Sequence, residues 1–414
     1  MSNYPEKNGD FTAGFRHKFE LLPGYSGIYL SSAFRTLGSS LIGLFIPIYI
    51  LKITGNLYSV FLFYAIYQFF AVISDYPVAV LIRHFGLDII GFSGAIFRAF
   101  FIFFLLKAGE QPFLIWSAAA AWGITQPFTW LSFHYSFTIA EDEDGKYGKE
   151  VSQLLVVEKI TGLLGPAAGG LIIASSGFKP LFLMAIVLVI ISGIPLFFDL
   201  IERKGMRLNL AKVAHHLVKK ERTKLWLSFI GGELEAEVVG LVWPIFIYLA
   251  VKKYETMGLI SSAATLVSVV LVWFLGRFID ERGKSVLRLG SIINSFNLLT
   301  RPFLANPFAL FLVDSAYWIT NDLVITPFDS AFYEEAAKMR KLEFMVEREF
   351  VIHFFGLLIC LFLGLAFYLK ISWFLIFALA AGAGLMRTFI LNEETPLEEN
   401  RFKRFLRKIG IISR

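Results

Sequence analysis

Long apolar runs constrain the fold of this chain more than any other feature. About 20 apolar residues cross a bilayer as a helix. A segment inside lipid must satisfy its own backbone hydrogen bonds, which excludes separate strands of this length. The sequence therefore predicts an all-α polytopic membrane protein with twelve transmembrane helices. They lie near residues 28–51, 57–82, 88–107, 112–138, 151–174, 179–200, 224–250, 257–280, 285–304, 308–332, 347–370 and 372–391.

The composition supports this interpretation and excludes several other classes of protein. Charged residues make up 17% of the chain, whereas soluble domains have about 25%. The first run is too long for a signal-peptide core and has no small-residue cleavage site, so we expect it to remain as a helix. The single cysteine, Cys360, excludes a disulfide framework. The six histidines show no metal-ligand spacing, so we expect no metal and no cofactor.

The distribution of basic residues predicts the orientation in the membrane. If both chain ends are cytoplasmic, 28 of the 39 Lys and Arg residues lie on the cytoplasmic side, seven lie in outer loops and four lie within spans. Lys107 and Arg301 are among the seven outer residues. This bias predicts cytoplasmic termini in an inner or plasma membrane. The net charge of +6 then fits contact with anionic lipid, and we expect a bilayer and no nucleic acid as partner.

The two halves of the chain repeat each other at a fixed offset. The segment from Gly43 to Tyr49, with Pro47, resembles the segment from Gly240 to Phe246, with Pro244, at an offset of 197 residues. A gap-free match of this kind indicates an internal duplication of six spans plus six. We therefore divide the chain into a cytoplasmic arm, a six-helix bundle, a basic cytoplasmic linker, a second six-helix bundle and a basic cytoplasmic tail. Their bounds are 1–27, 28–201, 202–223, 224–391 and 392–414.

A hydrophilic stretch between the eighth and ninth spans carries a recognisable motif. It contains Gly276, Asp280, Gly283 and Lys284 at the spacing of a loop signature, and it predicts a tight hairpin over 276–285. These residues resemble the loop signature of the major facilitator superfamily; Glu281 departs from it, because a basic residue is usual there. The resemblance implies two pseudo-symmetric six-helix bundles that rock about a central cavity. It also implies that Asp280 holds the inner side shut in one state.

The first-half copy of this motif differs at its charged position. Ala79 and Arg83 stand where the second half has Gly276 and Asp280. The pseudo-symmetry of the superfamily would bring this loop close to Glu347 and Glu349. We therefore predict that Arg83 pairs with one of these glutamates, as a latch of reversed sign. The alternative is that Arg83 only follows the positive-inside bias.

The fifth span contains a run of small residues. Its members resemble a glycine-proline pattern that is frequent in proton-driven exporters of the same superfamily: Gly165, Pro166, Gly169 and Gly170. The alternative is close packing of helices, because small residues four positions apart let backbones approach.

Ionisable residues inside the spans are candidates for function, since they are costly in hydrocarbon. Three glutamates lie near the middle of the seventh span: Glu233, Glu235 and Glu237. Glu233 and Glu237 share a helix face, and Glu235 points nearly opposite. Two carboxylates on one buried face cannot both ionise cheaply, which makes the pair a candidate proton site. Structural pairing with cationic side chains, or a watery vestibule opened by Gly231 and Gly232, are the alternatives.

Other charges lie at comparable depth. Arg35 and Asp75 lie equally deep on neighbouring spans, which predicts an ion pair that either binds substrate or locks helices. Arg98 and Asp322 are further candidates for substrate or proton coupling. The remaining polar residues within spans are Glu158, Lys159, Asp314 and His353.

Together these features predict the class of function but no substrate. The resemblance implies a monomeric secondary transporter, not an enzyme, that moves a small-molecule substrate and is coupled to protons or another cation. The glycine-proline pattern of the fifth span and the 45 phenylalanines fit export of apolar or amphipathic compounds by antiport; the alternative for the phenylalanines is a lipid-facing surface, which explains them equally well. A lipid flippase and an intramembrane transferase are the alternatives.

Overall fold

A computed structural model of the chain describes residues 26–140, 156–197, 208–337 and 341–391, with the side chains of 272–282 and of a few helix-end residues left out. Nearly all of the predicted N-terminal arm, the first part of the linker and the whole C-terminal tail lie outside these ranges. The described residues form helices joined by short turns, and no strand occurs among them. The prediction of an all-α fold is therefore confirmed.

The first half of the chain consists of helices that run back and forth. These are α1 Ser26–Gly43, α2 Ile46–Thr54, α3 Leu57–Phe85, α4 Leu87–Ala108, α5 Leu114–Ala140, α6 Gly165–Ser176 and α7 Phe178–Gly193. Residues 156–162 are also helical, and a two-residue turn separates them from α6. The turn precedes Pro166, which has no backbone N–H to continue the preceding helix.

The second half has a similar arrangement, preceded by a short linker helix. Its helices are α8 Leu210–Leu217, α9 Thr223–Glu237, α10 Trp243–Val251, α11 Tyr254–Thr300, α12 Pro307–Ala337, α13 Lys341–Tyr368 and α14 Trp373–Leu385. A π-helix, Val238–Val242, joins α9 to α10. Short 3-10 helices lie at Ile194–Phe197, Lys220–Arg222, Arg301–Phe303 and Met386–Ile390.

Ten helical segments in the described part of the chain are long and apolar enough to cross a membrane. Two predicted spans are not among these ten: α5, and the part of α11 after residue 283. A multi-pass membrane protein is thus supported by length and composition, and the predicted number of twelve spans is not established.

The eighth and ninth predicted spans are joined in an unexpected way. Helical backbone is continuous through all 47 residues of α11, including residues 276–285, where the sequence predicts a tight hairpin. Ser268 nevertheless donates to Asp322 (2.5 Å), and a Cβ on Gly290 would lie 3.1 Å from Leu323. A straight helix would separate residues 268 and 290 by about 33 Å. The helical backbone must therefore reverse direction between them, which gives α11 a first arm (254–271) and a second arm (283–300).

The duplication read from the sequence reappears in the element boundaries. Helix α2 begins at Ile46 and ends at Thr54, and α10 begins and ends 197 residues later, at Trp243 and Val251. Each ends in a left-handed residue, Gly55 with φ 74° and Lys252 with φ 54°. Each also follows an irregularity: a turn after α1, and the π-helix after α9. Proline at the second position of both helices explains the shared break.

In the described part of the chain, the two halves pack mainly through five pairs of helices. Helix α3 packs against α13, and α6 against the first arm of α11. We call the end of the molecule near linker residues 208–222 the linker end and the opposite end the distal end. At the linker end α5 contacts α12 and α13, and at the distal end α2 contacts α10. These contacts place the interface between the halves in the middle of the molecule.

Apolar clusters close this interface at both ends. At the distal end Phe61 stacks on Phe367 with ring centroids 4.9 Å apart. At the linker end one buried cluster joins Ile82 of the first half to Phe332 of the second. There the phenol of Tyr333 also hydrogen-bonds to His134 Nδ1 (2.8 Å). Polar groups near the middle of the interface are therefore covered from both sides.

Candidate functional site

Two carboxylates of α9 meet one amide of α3 at the centre of the interface. Gln68 Nε2 donates to Glu237 Oε1 (2.7 Å) and to Glu233 Oε1 (3.0 Å). Gln68 is 1% exposed and Glu237 7%. The two glutamates lie on one face because they are four residues apart. One amide from the first half thus ties together two acidic groups of the second.

The surroundings of this pair are aromatic and small. Tyr67 packs against Trp122 with centroids 4.7 Å apart, and Tyr64 against the same indole at 5.4 Å. On α13, a Cβ at Gly356 would lie 2.5 Å from Gln68 Nε2 and 3.0 Å from Glu233 Oε1. Glycine at 356 is therefore what lets α13 approach the pair so closely.

The hydrogen bonds of the pair leave both carboxylates without a neutralising cation in direct contact. In the described part of the chain, neither Glu233 nor Glu237 forms an ion pair with a basic side chain. An ionised carboxylate in a low-dielectric site is costly when it is unpaired. Glu233 and Glu237 lie beside one neutral amide. A proton bound to either carboxylate would lower the cost of burying charge and the repulsion between the two groups.

A second set of titratable groups lies between this pair and the linker end. His353 Nδ1 contacts both Asp75 oxygens, at 3.0 and 3.1 Å. Its Nε2 lies 3.9 Å from Glu349, and Glu349 in turn pairs with Arg348. Asp75 lies seven residues, or two turns, after Gln68 on the same face of α3. A polar line therefore runs along the α3–α13 contact.

The third glutamate of α9 belongs to a different environment. Glu235 accepts hydrogen bonds from Asn294 (2.6 Å) and Tyr317 (3.1 Å), and Arg387 lies 3.4 Å away. These partners belong to the second half of the chain, and Glu235 is 1% exposed. Helical geometry predicted that Glu235 points away from Glu233 and Glu237, and the structure shows it paired inside its own half.

An ion pair that the sequence did not predict lies beside Glu235. Arg301, counted among the outer loops, is 0% exposed. Its guanidinium lies 3.2 Å from Asp314 and stacks over Trp243 (4.1 Å) and Tyr317 (4.4 Å). Arg301 begins the short 3-10 helix that connects α11 to α12, so it lies in the predicted connection, but its side chain is buried in the second half. The signal that could have revealed it is Asp314, an acid in the next span that needs a buried partner.

Asp322 pairs with a lysine from the other half. Lys159 forms an ion pair with Asp322, which also accepts from Ser268. The three residues come from the segment before α6, from α12 and from the first arm of α11. This contact links the halves on the side opposite the α3–α13 contact.

The predicted pair of Arg35 with Asp75 is wrong. Arg35 pairs with Glu158 (2.6 Å) and stacks over Trp130 (4.5 Å), while Asp75 contacts His353. Equal depth along two helices does not make two side chains face each other, because the rotation of each helix also matters. Arg98 lies deeper in the first half and donates to Ser39 (3.2 Å).

The predicted Arg83 latch is not formed in this structure. Arg83 is exposed, whereas Glu347 pairs with Arg222 and with His216 (2.7 Å). Glu349 pairs with Arg348 instead. The basic groups that hold the start of α13 therefore come from the linker.

The second-half motif is only partly visible. The side chain of Asp280 and the surroundings of Gly276 lie outside the described residues, so the role predicted for Asp280 stays a prediction. A Cβ on Gly283 would lie 3.7 Å from Pro327, which places this glycine in ordinary contact with α12. Lys284 is partly buried.

The small residues around α6 allow close contacts on two sides. A Cβ on Gly165 would overlap Ser40 of α1, and a Cβ on Gly169 would overlap the Leu41 carbonyl of the same helix. A Cβ on Gly170 would overlap the Tyr254 carbonyl of α11. The motif therefore packs α6 tightly against both halves, as the close-packing alternative requires, and the contacts do not bear on export.

Metal binding finds no support in the described ranges, where no group of three or more His, Cys, Asp and Glu side chains could hold an ion. The polar contacts described above at the centre of the interface involve carboxyl, imidazole and amide groups, with aromatic side chains beside them.

Comparison with known proteins identifies the architecture. No protein-family model matches the sequence, and no curated protein does. The structure is similar to the crystal structure of the human organic anion transporter MFSD10 (TETRAN), with a TM-score of 0.67 and 11% identity. The match covers 89% of this chain and 99% of that one. At this identity the likeness shows the fold alone, and the chain therefore has the same fold as that transporter.

Proposed function

We propose that this protein is a secondary active transporter that moves a small solute across the cytoplasmic membrane by alternating access, coupled to protons. The observation that carries the proposal is the contact of Glu233 and Glu237 with Gln68 across the interface between the halves. The fold supports it, since duplicated six-helix halves with a central site are one transporter architecture. Its basic residues predict that both termini lie in the cytoplasm, and the resemblance implies that it acts as a monomer.

The proton would act through the contact between the halves. When the pair carries a proton, Gln68 bridges one carboxylate and one neutral carboxyl, and the interface stays closed. When the proton leaves, two negative charges face each other in a low-dielectric site, where their repulsion is far stronger than in water. Both carboxylates belong to α9, so their repulsion does not act between the halves. Separation of the halves admits water, which hydrates the two charges and screens their repulsion, and loss of the proton therefore favours separation. His353 with Asp75 and Glu349 extends the titratable groups toward the linker end and offers a route for the proton.

The transported solute would be an apolar or amphipathic organic compound. Tyr64, Tyr67 and Trp122 form an aromatic wall beside the pair, and aromatic side chains line most sites for small organic ligands. The protein with the similar structure is called an organic anion transporter, which agrees with an organic substrate. We propose export in exchange for protons, because the glycine-proline pattern of the fifth predicted span (165–170) resembles that of proton-driven exporters.

A lipid flippase would use the same fold with a different substrate. An intramembrane transferase would need a compact set of catalytic residues, and the carboxylate pair alone does not supply a nucleophile with its base. We therefore rank the transporter first and treat a lipid substrate as an outcome of the experiments below.

The conformational part of the proposal is testable without a known substrate. Spin labels at Arg83→Cys and Glu334→Cys, two exposed positions at the linker end, report the separation of the halves; Cys360 is buried and should remain unlabelled. Between about pH 5 and about pH 9 the distance distribution should shift in the wild-type background. Glu237→Gln should abolish the shift. Glu235→Gln, which changes a carboxylate on the opposite helix face, should retain it.

Transport itself is tested in proteoliposomes. A thermal-shift screen of solutes at several pH values identifies compounds that bind the folded state. For such a compound, an imposed pH gradient should drive uptake by wild-type protein and not by Glu237→Gln, while binding to the variant persists. Gradient-driven uptake that survives neutralisation of Glu233, Glu235 and Glu237 together would refute proton coupling at this site. Movement of labelled phospholipid and of no soluble compound would favour the flippase.

A further inference from the structure

A small cavity lies inside the first half, away from the carboxylate pair. It is bounded by α1, α4, α5 and α7 near their linker ends and has a volume of about 40 Å³. Its lining includes two arginines, Arg35 and Arg98, and the hydroxyls of Ser31, Thr129, Ser132 and Ser192. Glycine at 91 keeps it open on one side, because a Cβ there would lie 2.8 Å from Leu196.

The charge on this cavity is not balanced. Arg35 has a carboxylate partner, Glu158, at 2.6 Å. Arg98 is 9% exposed and donates to one hydroxyl, that of Ser39. No carboxylate in the described part of the chain forms an ion pair with Arg98. A guanidinium has five N–H donors, and a charge at this depth in a membrane protein normally has a partner.

A buried hydroxyl group in the same cavity also indicates a binding site. Ser132 is only 4% exposed, and its hydroxyl oxygen has no hydrogen-bond partner. Most buried side-chain polar atoms have a partner in the protein or in ordered solvent. Ser132 lines the same cavity as Arg98, so one ligand could satisfy both groups.

We propose that this cavity binds a small inorganic anion, with chloride as the fitting size. The anion would accept hydrogen bonds from Arg98 and Ser132 and reduce the repulsion between Arg98 and Arg35. The volume excludes an organic solute, since pockets for drug-sized ligands have about 300 Å³ or more. A single water needs about 10–15 Å³, so a monoatomic anion, alone or with one water, fills the space. The proposal does not depend on proton coupling at Glu237.

The experiment compares purified protein in chloride and in gluconate at constant ionic strength, with the apparent melting temperature as the readout. A ligand that binds only the folded state raises this temperature in a saturable way. Wild-type protein should show a saturating rise with chloride. Arg98→Gln should lose it, and Arg83→Gln, which removes an exposed arginine of the same half, should keep it. Ser132→Ala should need a higher chloride concentration for the same rise.

A direct measurement covers the case in which Arg98→Gln fails to fold. Crystals of wild-type protein grown in bromide should give an anomalous peak between the Arg98 guanidinium and the Ser132 hydroxyl. Equal melting temperatures of wild-type protein in chloride and gluconate, or crystals without a bromide peak in the cavity, would overturn the proposal. A chloride effect of unchanged size in a folded Arg98→Gln protein would do the same.

Discussion

Replacing Arg301 by leucine separates two interpretations of the same residue. By sequence Arg301 is an outer-loop cation, and exposed substitutions usually change stability by no more than about 0.5 kcal/mol. In the structure it is fully buried against Asp314 and Trp243. Removing one partner of a buried ion pair costs about 3–5 kcal/mol, because the other charge is left uncompensated. The lost stacking on Trp243 adds roughly 0.5–2 kcal/mol.

The assay is equilibrium unfolding in mixed micelles with increasing SDS, followed by circular dichroism. We expect Arg301→Leu to lower the free energy of unfolding by about 4 kcal/mol. A double variant that also carries Asp314→Leu should recover most of this loss, since apolar residues of similar size often replace a buried pair at little cost. Recovery would show that the uncompensated aspartate, and not the smaller volume, caused the loss.

The matched control is Lys107, also predicted to lie in an outer loop. It pairs with Glu110 at 3.0 Å, but the two side chains are 42% and 64% exposed. Lys107→Leu should therefore cost less than about 1 kcal/mol. If Arg301→Leu were as stable as Lys107→Leu, the buried position of Arg301 would be wrong, and so would the network around Glu235.

Three further predictions follow from the contacts. Glu235→Gln should lower the free energy of unfolding by about 1–3 kcal/mol and leave the pH dependence of stability unchanged. Glu237→Gln should remove that pH dependence without a loss of stability. Differential scanning fluorimetry at several pH values measures both effects. Glu347→Gln should release the linker and speed its cleavage by trypsin at least several-fold, whereas Arg83→Gln should leave that rate unchanged. Gly169→Leu should lower the yield of folded protein in size-exclusion chromatography, because its side chain would overlap the backbone of α1.

The sequence predicts the helices well because membrane insertion imposes a local rule. Each span needs a long apolar segment, and such a segment can be recognised without knowledge of what it packs against. The duplication is local in the same sense, since the copied segment around Pro47 and Pro244 carries its irregular backbone with it. Such features depend on a few adjacent residues, and the structure reproduces them.

Partners of buried polar residues could not be predicted in the same way. Gln68 and Glu237 are 169 residues apart, and Asp75 and His353 are 278 apart. The first contact depends on how α3 and α9 are rotated and the second on how α3 and α13 are rotated, and packing determines these rotations. Depth along a helix is readable from the sequence, and depth alone suggested Arg35 as the partner of Asp75. The sequence does not give the rotation of each helix about its own axis, and this rotation determines which side chains face each other.

The distribution of charge partners also indicates which acidic groups are free to change state. Glu235 contacts two hydrogen-bond donors and an arginine of its own half, so protonating it would weaken several interactions at once. The pair formed by Glu233 and Glu237 has a neutral amide as its bridge, and that amide belongs to the other half. Protonating this pair removes a repulsion and breaks no direct ion pair among the described residues. A carboxylate that couples proton binding to motion must combine an energetically cheap protonation with a contact that changes when the halves move, and among the three glutamates of α9 only this pair meets both conditions.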